Sequence, residues 1–230
     1  MKTIGLIGGM SWESSAIYYN LINKGIANAL GGLHSAKSIM YTVDFEEIAN
    51  LQRKDDWNTI AERMSEAART LQSAGADFVL ICCNTQYKVA AEIESTLDVP
   101  LIHIGDATAE AVQKQSLKKI GLLGTKYTME QDFIKNRFTN KGIAVVVPDD
   151  ADRVIIQDVI YNELGKGIIN PKSREAYLLI IEKLVADGAQ GIVLGCTEIG
   201  MLVKKTDTLT PLFDTTIIHA EKAVELALAN

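Results

Sequence analysis

The chain has 230 residues, of which 47% are hydrophobic and 23% charged, and it carries a net charge of −6. This is enough chain for one large domain or two small α/β halves with cores of their own. No Lys/Arg stripe or aromatic-basic motif points to nucleic acid, and no apolar run nears the roughly 18 residues of a membrane span.

Taken in chain order, short apolar runs alternate with helical patterns. Residues Thr3–Ile7 read as a first strand with a tight turn after it, with no cleavable signal, so a cytoplasmic address is expected. Ser14–Ala29 reads as a helix stopped by Gly31-Gly32, and Ser38–Asp44 alternates like a strand. Ile60, Met64, Ala67, Ala68 and Leu71 recur at helical spacing until Gly75. Phe78–Ile81 is a continuous apolar run of the kind found in buried parallel strands. A helix is expected from Asn84 to Asp98, and a short strand over Leu101–Ile104.

The second half repeats the script. Ile120–Thr125 echoes Ile4–Gly9, Val145–Val147 is a strand, and Ser173 can cap a helix bearing Tyr177, Ile180, Ile181 and Leu184 on one face. Gly188 ends that helix, Ile192–Leu194 is the next buried strand, and Pro211-Leu212-Phe213 matches Pro100-Leu101-Ile102. A shift of 113 residues lays Gly75-Ala76 on Gly188-Ala189 and Cys83 on Cys196. The expected fold is α/β. It comprises two pseudo-symmetric three-layer halves with mostly parallel sheets, residues 1–99 plus 212–230 and residues 100–211, facing each other across a cleft.

Three cysteines, Cys82, Cys83 and Cys196, make no disulfide framework. The histidines are scattered and no C-x-x-C occurs, so no metal site is expected. The first turn lacks G-x-G-x-x-G, so a dinucleotide is not implied. Ligands of open α/β sheets bind at the carboxyl ends of strands, where Cys83 and Cys196 both stand, each before an expected helix start. Cys82 points the other way and reads as core. Two thiols opposed across a cleft suit removal of a proton from one face of a carbon and its return on the other. Helix N-termini would favour a thiolate and hold a substrate carboxylate, and the pair would titrate together.

Gly8-Gly9-Met10-Ser11-Trp12-Glu13, Cys83-Asn84-Thr85, Gly195-Cys196-Thr197-Glu198 and Phe213-Asp214-Thr215 resemble the aspartate/glutamate racemase family, end to end. The resemblance implies an amino-acid racemase working without pyridoxal phosphate or any other cofactor, a small amino-acid substrate, and a homodimer. It implies Cys83 and Cys196 as the acid/base pair, and Met10, Gln52, Asn84, Thr85, Thr197 and Glu198 as substrate contacts. Ser11 joins them by its place in the first turn. Tyr87 stands where the family often has His, which implies an altered substrate range or rate. Lys166 lies one position from a family lysine and is left out of the site. The competing readings are a dicarboxylate isomerase or decarboxylase of the same superfamily, which needs only one thiol, and a non-catalytic amino-acid-binding protein.

Overall fold

The computed structural model describes residues 1–229. It divides into two compact units, Met1–Ile104 joined by the chain from His219 onward, and Gly105–Ile218. The first unit contains β1 (Ile4–Gly8), α1 (Trp12–Leu30), β2 (Ser38–Thr42), α2 (Phe45–Arg53), α3 (Trp57–Ser73), β3 (Phe78–Ile81), a 3-10 turn (Thr85–Val89) and α4 (Ala90–Glu94). The chain continues through α5 (Ile104–Lys114), β4 (Lys119–Gly124), α6 (Lys126–Glu130), α7 (Asp132–Thr139), β5 (Ala144–Val146) and α8 (Asp150–Asn162). A second 3-10 turn (Leu164–Lys166) leads to α9 (Pro171–Ala186), β6 (Ile192–Gly195), α10 (Ile199–Leu202), β7 (Leu212–Asp214) and α11 (Thr215–Leu228).

The fold is α/β with two parallel sheets. Their orders are β2-β1-β3 and β5-β4-β6-β7. In each sheet the opening strand is flanked on one side by the next strand and on the other by the strand that leads into the cysteine, β3 or β6. The expected strand over Leu101–Ile104 reduces to one bridge, Val79 to Leu101. Val79 exchanges backbone hydrogen bonds with Pro100 and Ile102. Beyond that point side chains, not a neighbouring strand, take the Ile102 carbonyl, and α5 begins at Ile104.

Alternation along β1 and β3 divides the first core. Ile4, Leu6, Phe78, Leu80 and Cys82 pack with Tyr18, Ile22 and Ile26 of α1 and with Ala220, Ala223 and Ala227 of α11. The other sheet face carries α3, whose buried stripe includes Ile60, Met64, Ala67, Ala68 and Leu71. Each fully buried Ile or Leu side chain contributes roughly 1.5–3 kcal/mol to such a layer. In the second unit Leu123, Ile192, Leu194 and Cys196 pack with Ile156 and Ile160 of α8 and with Tyr177, Ile180, Ile181 and Leu184 of α9.

The loops ahead of the cysteine strands show the repeat in backbone form. α3 and α9 each end just before a glycine of positive φ, Gly75 at 96° and Gly188 at 92°. That conformation is easy only for a residue without Cβ. Two helix starts differ from expectation. Asn170 caps α9 by accepting from Lys172 N at 3.0 Å, with Pro171 pre-set for the first turn. Ser173, expected as the cap, lies one turn inside and donates to Glu163. Ser11 caps α1, which therefore starts at Trp12, two residues earlier than expected.

Candidate active site

The carboxyl edge of the first sheet gathers the loops after β1 and β3. Ile7 and Ile81 are paired, and Cys82 N donates to Ile7 O, so Cys83 emerges beside the turn that follows Gly8. That turn is tightly held. Ser15 Oγ accepts from Gly9 N at 2.8 Å and donates to Ser11 O at 2.9 Å. Gly9 has φ of 101°, and a Cβ there would run into the Val43 carbonyl. The Met10–Ser11 peptide is cis.

Cys82 and Cys83 part company at the strand end. Cys82 is fully buried in the α1/α11 layer, where desolvation pushes its thiol far above the usual cysteine range. Cys83 is half-buried. Asn84 and Thr85 after it are buried, and Tyr87 N closes the turn on Asn84 O. The helix expected from Asn84 to Asp98 opens as a 3-10 turn, Thr85–Val89, and continues as α4 only to Glu94, and Tyr87 anchors its first turn across the sheet. The Tyr87 hydroxyl accepts from Ile81 N at 3.0 Å and donates to Ile102 O at 2.9 Å.

A buried network backs this edge. His219 Nε2 lies 2.8 Å from the same Ile102 carbonyl, and its Nδ1 lies 2.8 Å from the Tyr18 hydroxyl. A carbonyl can only accept, so Nε2 carries the proton and Nδ1 accepts from Tyr18. Burial lowers the His219 pKa to about 4, keeping the ring neutral. Gln86, fully buried, has both amide atoms without a protein hydrogen-bond partner, as does Glu13 Oε2. Such groups in a native fold call for an explanation beyond packing.

The second unit builds a parallel arrangement at the end of β6. Cys196, Thr197 and Glu198 are all buried, and Cys196 Sγ donates to Glu198 Oε2 at 2.9 Å. The backbone folds directly from Cys196 O to Ile199 N and from Glu198 O to Met201 N, giving α10 only four residues. No long α-helix follows either cysteine directly. Leu194 pairs with Asp214, and Thr215 Oγ1 donates to Leu194 O at 2.9 Å, tying β7 to the cysteine strand. Asp214 accepts from Thr216 N and Ile217 N. Desolvation outweighs these bonds, and its carboxyl is raised above the usual carboxylate value.

A family model for Asp/Glu/Hydantoin racemases matches residues 7–223. The chain belongs to this family. A broad specificity amino-acid racemase of Bacillus subtilis is 22% identical over 98% of both chains. A candidate Asp/Glu racemase from Yersinia pestis has a crystal structure that covers all of both chains at 54% identity and a TM-score of 0.94. An aspartate racemase homologue from Pyrococcus horikoshii OT3 does so at 33% and 0.86.

As a member of the Asp/Glu/hydantoin racemases, the chain carries its predicted site residues in two groups. Met10, Ser11, Cys83, Asn84 and Thr85 share one sheet edge in the first unit, where Ser11 Oγ is also the cap of α1. Gln52 is buried on α2 of the same unit. Cys196, Thr197 and Glu198 form the group in the second unit. Lys166 lies in the second 3-10 turn. None of the three cysteines is in a disulfide. Among the described residues no group of three or more His, Cys, Asp or Glu could hold a metal ion, and no helix is long and apolar enough to cross a membrane. Tyr87 and His219 escaped the sequence reading as supports of the Cys83 loop. The signal was Tyr87 itself, a bulky hydroxyl four residues past the catalytic candidate.

Proposed function

We propose that the chain racemises aspartate or glutamate without pyridoxal phosphate, using Cys83 and Cys196 as base and acid on opposite faces of Cα. The observation that carries this reading is the equivalence of the two thiols. Each stands just past the end of a strand that pairs with the opening strand of its own parallel sheet, in a chain of the racemase family. Racemisation needs one group to take a proton and a second to return one, with roles reversed in the other direction. A one-thiol isomerase or decarboxylase would need only one of the two cysteines.

Met10, Ser11, Gln52, Asn84, Thr85, Thr197 and Glu198 are the residues we assign to holding the substrate. Asn84, Thr85 and Thr197 are buried neutral donors suited to the carboxylate, whose charge grows as Cα loses its proton. The test is α-proton exchange in D2O followed by NMR, with both enantiomers of aspartate and glutamate and no added cofactor. Exchange with loss of optical purity is expected. No exchange with any of the four would overturn the reading, and turnover of a dicarboxylate instead would favour the isomerase or decarboxylase.

A further inference from the structure

The two halves differ at a position that bears on proton transfer. Two residues after Cys83 stands Thr85, a neutral side chain, and two residues after Cys196 stands Glu198. Glu198 Oε2 accepts from Cys196 Sγ at 2.9 Å, and both side chains are buried. An ionised carboxylate has no proton to give, so the thiol supplies the one in this contact. Removing it would leave two negative charges at hydrogen-bond distance in a poorly screened site. From α9, Tyr177 also interacts with Cys196. Its hydroxyl donates to Ile156 O at 3.1 Å, and burial keeps it protonated, so it adds no charge.

We propose that Glu198 is a positioning residue that holds the proton on Cys196, so that the two thiols rest unequal, Cys196 as the acid and Cys83 as the base. The inference rests on the two-thiol reading above. Starting from that state, the Cys83 thiolate takes the Cα proton. The C–H electron pair passes into the carboxylate-conjugated carbanion, and Cys196 gives its proton to the opposite face. Cys83 ends as the thiol and Cys196 as the thiolate, beside the Glu198 charge. Solvent then returns a proton to Cys196 and removes one from Cys83, restoring the resting form. Enantiomers are equally stable, so kcat/KM must match in the two directions. The asymmetry appears in kcat and KM separately.

The experiment is a thiolate absorbance titration of the folded full chain carrying Cys83→Ser, alone and with Glu198→Gln or Glu198→Asp. Cys82 stays silent because burial pushes its thiol far up. Cys196 is expected to titrate above the ordinary value of about 8.5. Glu198→Gln should lower that midpoint by about one unit, a tenfold loss of proton affinity, and Glu198→Asp should keep most of the elevation. Equal midpoints with Glu and Gln would overturn the proposal. So would a midpoint at or below the ordinary value in Cys83→Ser alone, whether or not the Gln variant folds. The readout needs no turnover, so a wild-type chain that fails to racemise would sink the functional reading and leave this result standing.

Discussion

Cys82 and Cys83 show how one step along a strand changes what the same side chain can do. The first is sealed into an apolar layer, and the second is half-open at the sheet edge. That division was readable from alternation alone. Tyr87 was not, because its use depends on two backbone groups brought together from distant parts of the chain. Its hydroxyl joins Ile81 to Ile102. Tyr87→Phe should leave the Ile81 N–H without its acceptor and cost about 1–3 kcal/mol in urea unfolding. His219 makes a pH-dependent contribution. Its folded pKa of about 4 lies below the ordinary histidine value of 6.5, so the unfolded chain binds the proton more readily. The stability it contributes is fully present above about pH 6.5 and is lost as pH falls toward about 4, on the order of 3 kcal/mol in all. His219→Gln should flatten that part of the stability–pH curve. An unchanged slope would mean the ring is already charged in the fold.

Secondary elements were legible wherever apolar periodicity was strong. β1, β3, β4 and β6 lie within a residue or so of their expected spans because each is a buried run bounded by polar residues or glycine. α2, α5, α8 and α11 were not read from the sequence. In α8 the apolar positions Ile156, Val159 and Ile160 are few and come late, after an acidic first turn with Asp150 and Asp152. The cap of α9 shows the same limit. Ser173 and Asn170 are both good caps by type, and Pro171 decides between them by fitting the first helical position. Asn170→Ala should therefore cost about 1 kcal/mol of stability, measured by thermal or urea unfolding. A smaller loss from Asn170→Ala than from Ser173→Ala would contradict this assignment. The helix expected from Asn84 to Asp98 is a 3-10 turn followed by the short α4, and the Tyr87 anchor within that turn is a tertiary contact that composition does not show.

At the scale of the whole chain, the internal repeat was the most informative reading. It survives as two parallel sheets in which the cysteine strand occupies the same place beside the central strand. Cys83→Ser and Cys196→Ser should each reduce racemisation by about a hundredfold or more, the range expected of an acid/base group. Loss from only one of them would break the equivalence. The offset of 113 residues does not extend to chemistry at every position, and Thr85 against Glu198 is where it lapses. The last helix carries a different consequence. From His219 on, α11 supplies Ala220, Ala223 and Ala227 to the core of the first unit. On the ribosome, the strands of that unit are made before those of the second, yet part of its inner wall is missing until α11 has been made. The second unit, whose strands are contiguous in the chain, is free to fold before it. Domains usually mature in the order of synthesis. Here the half whose strands are made earlier can complete its wall only after the second unit has been made.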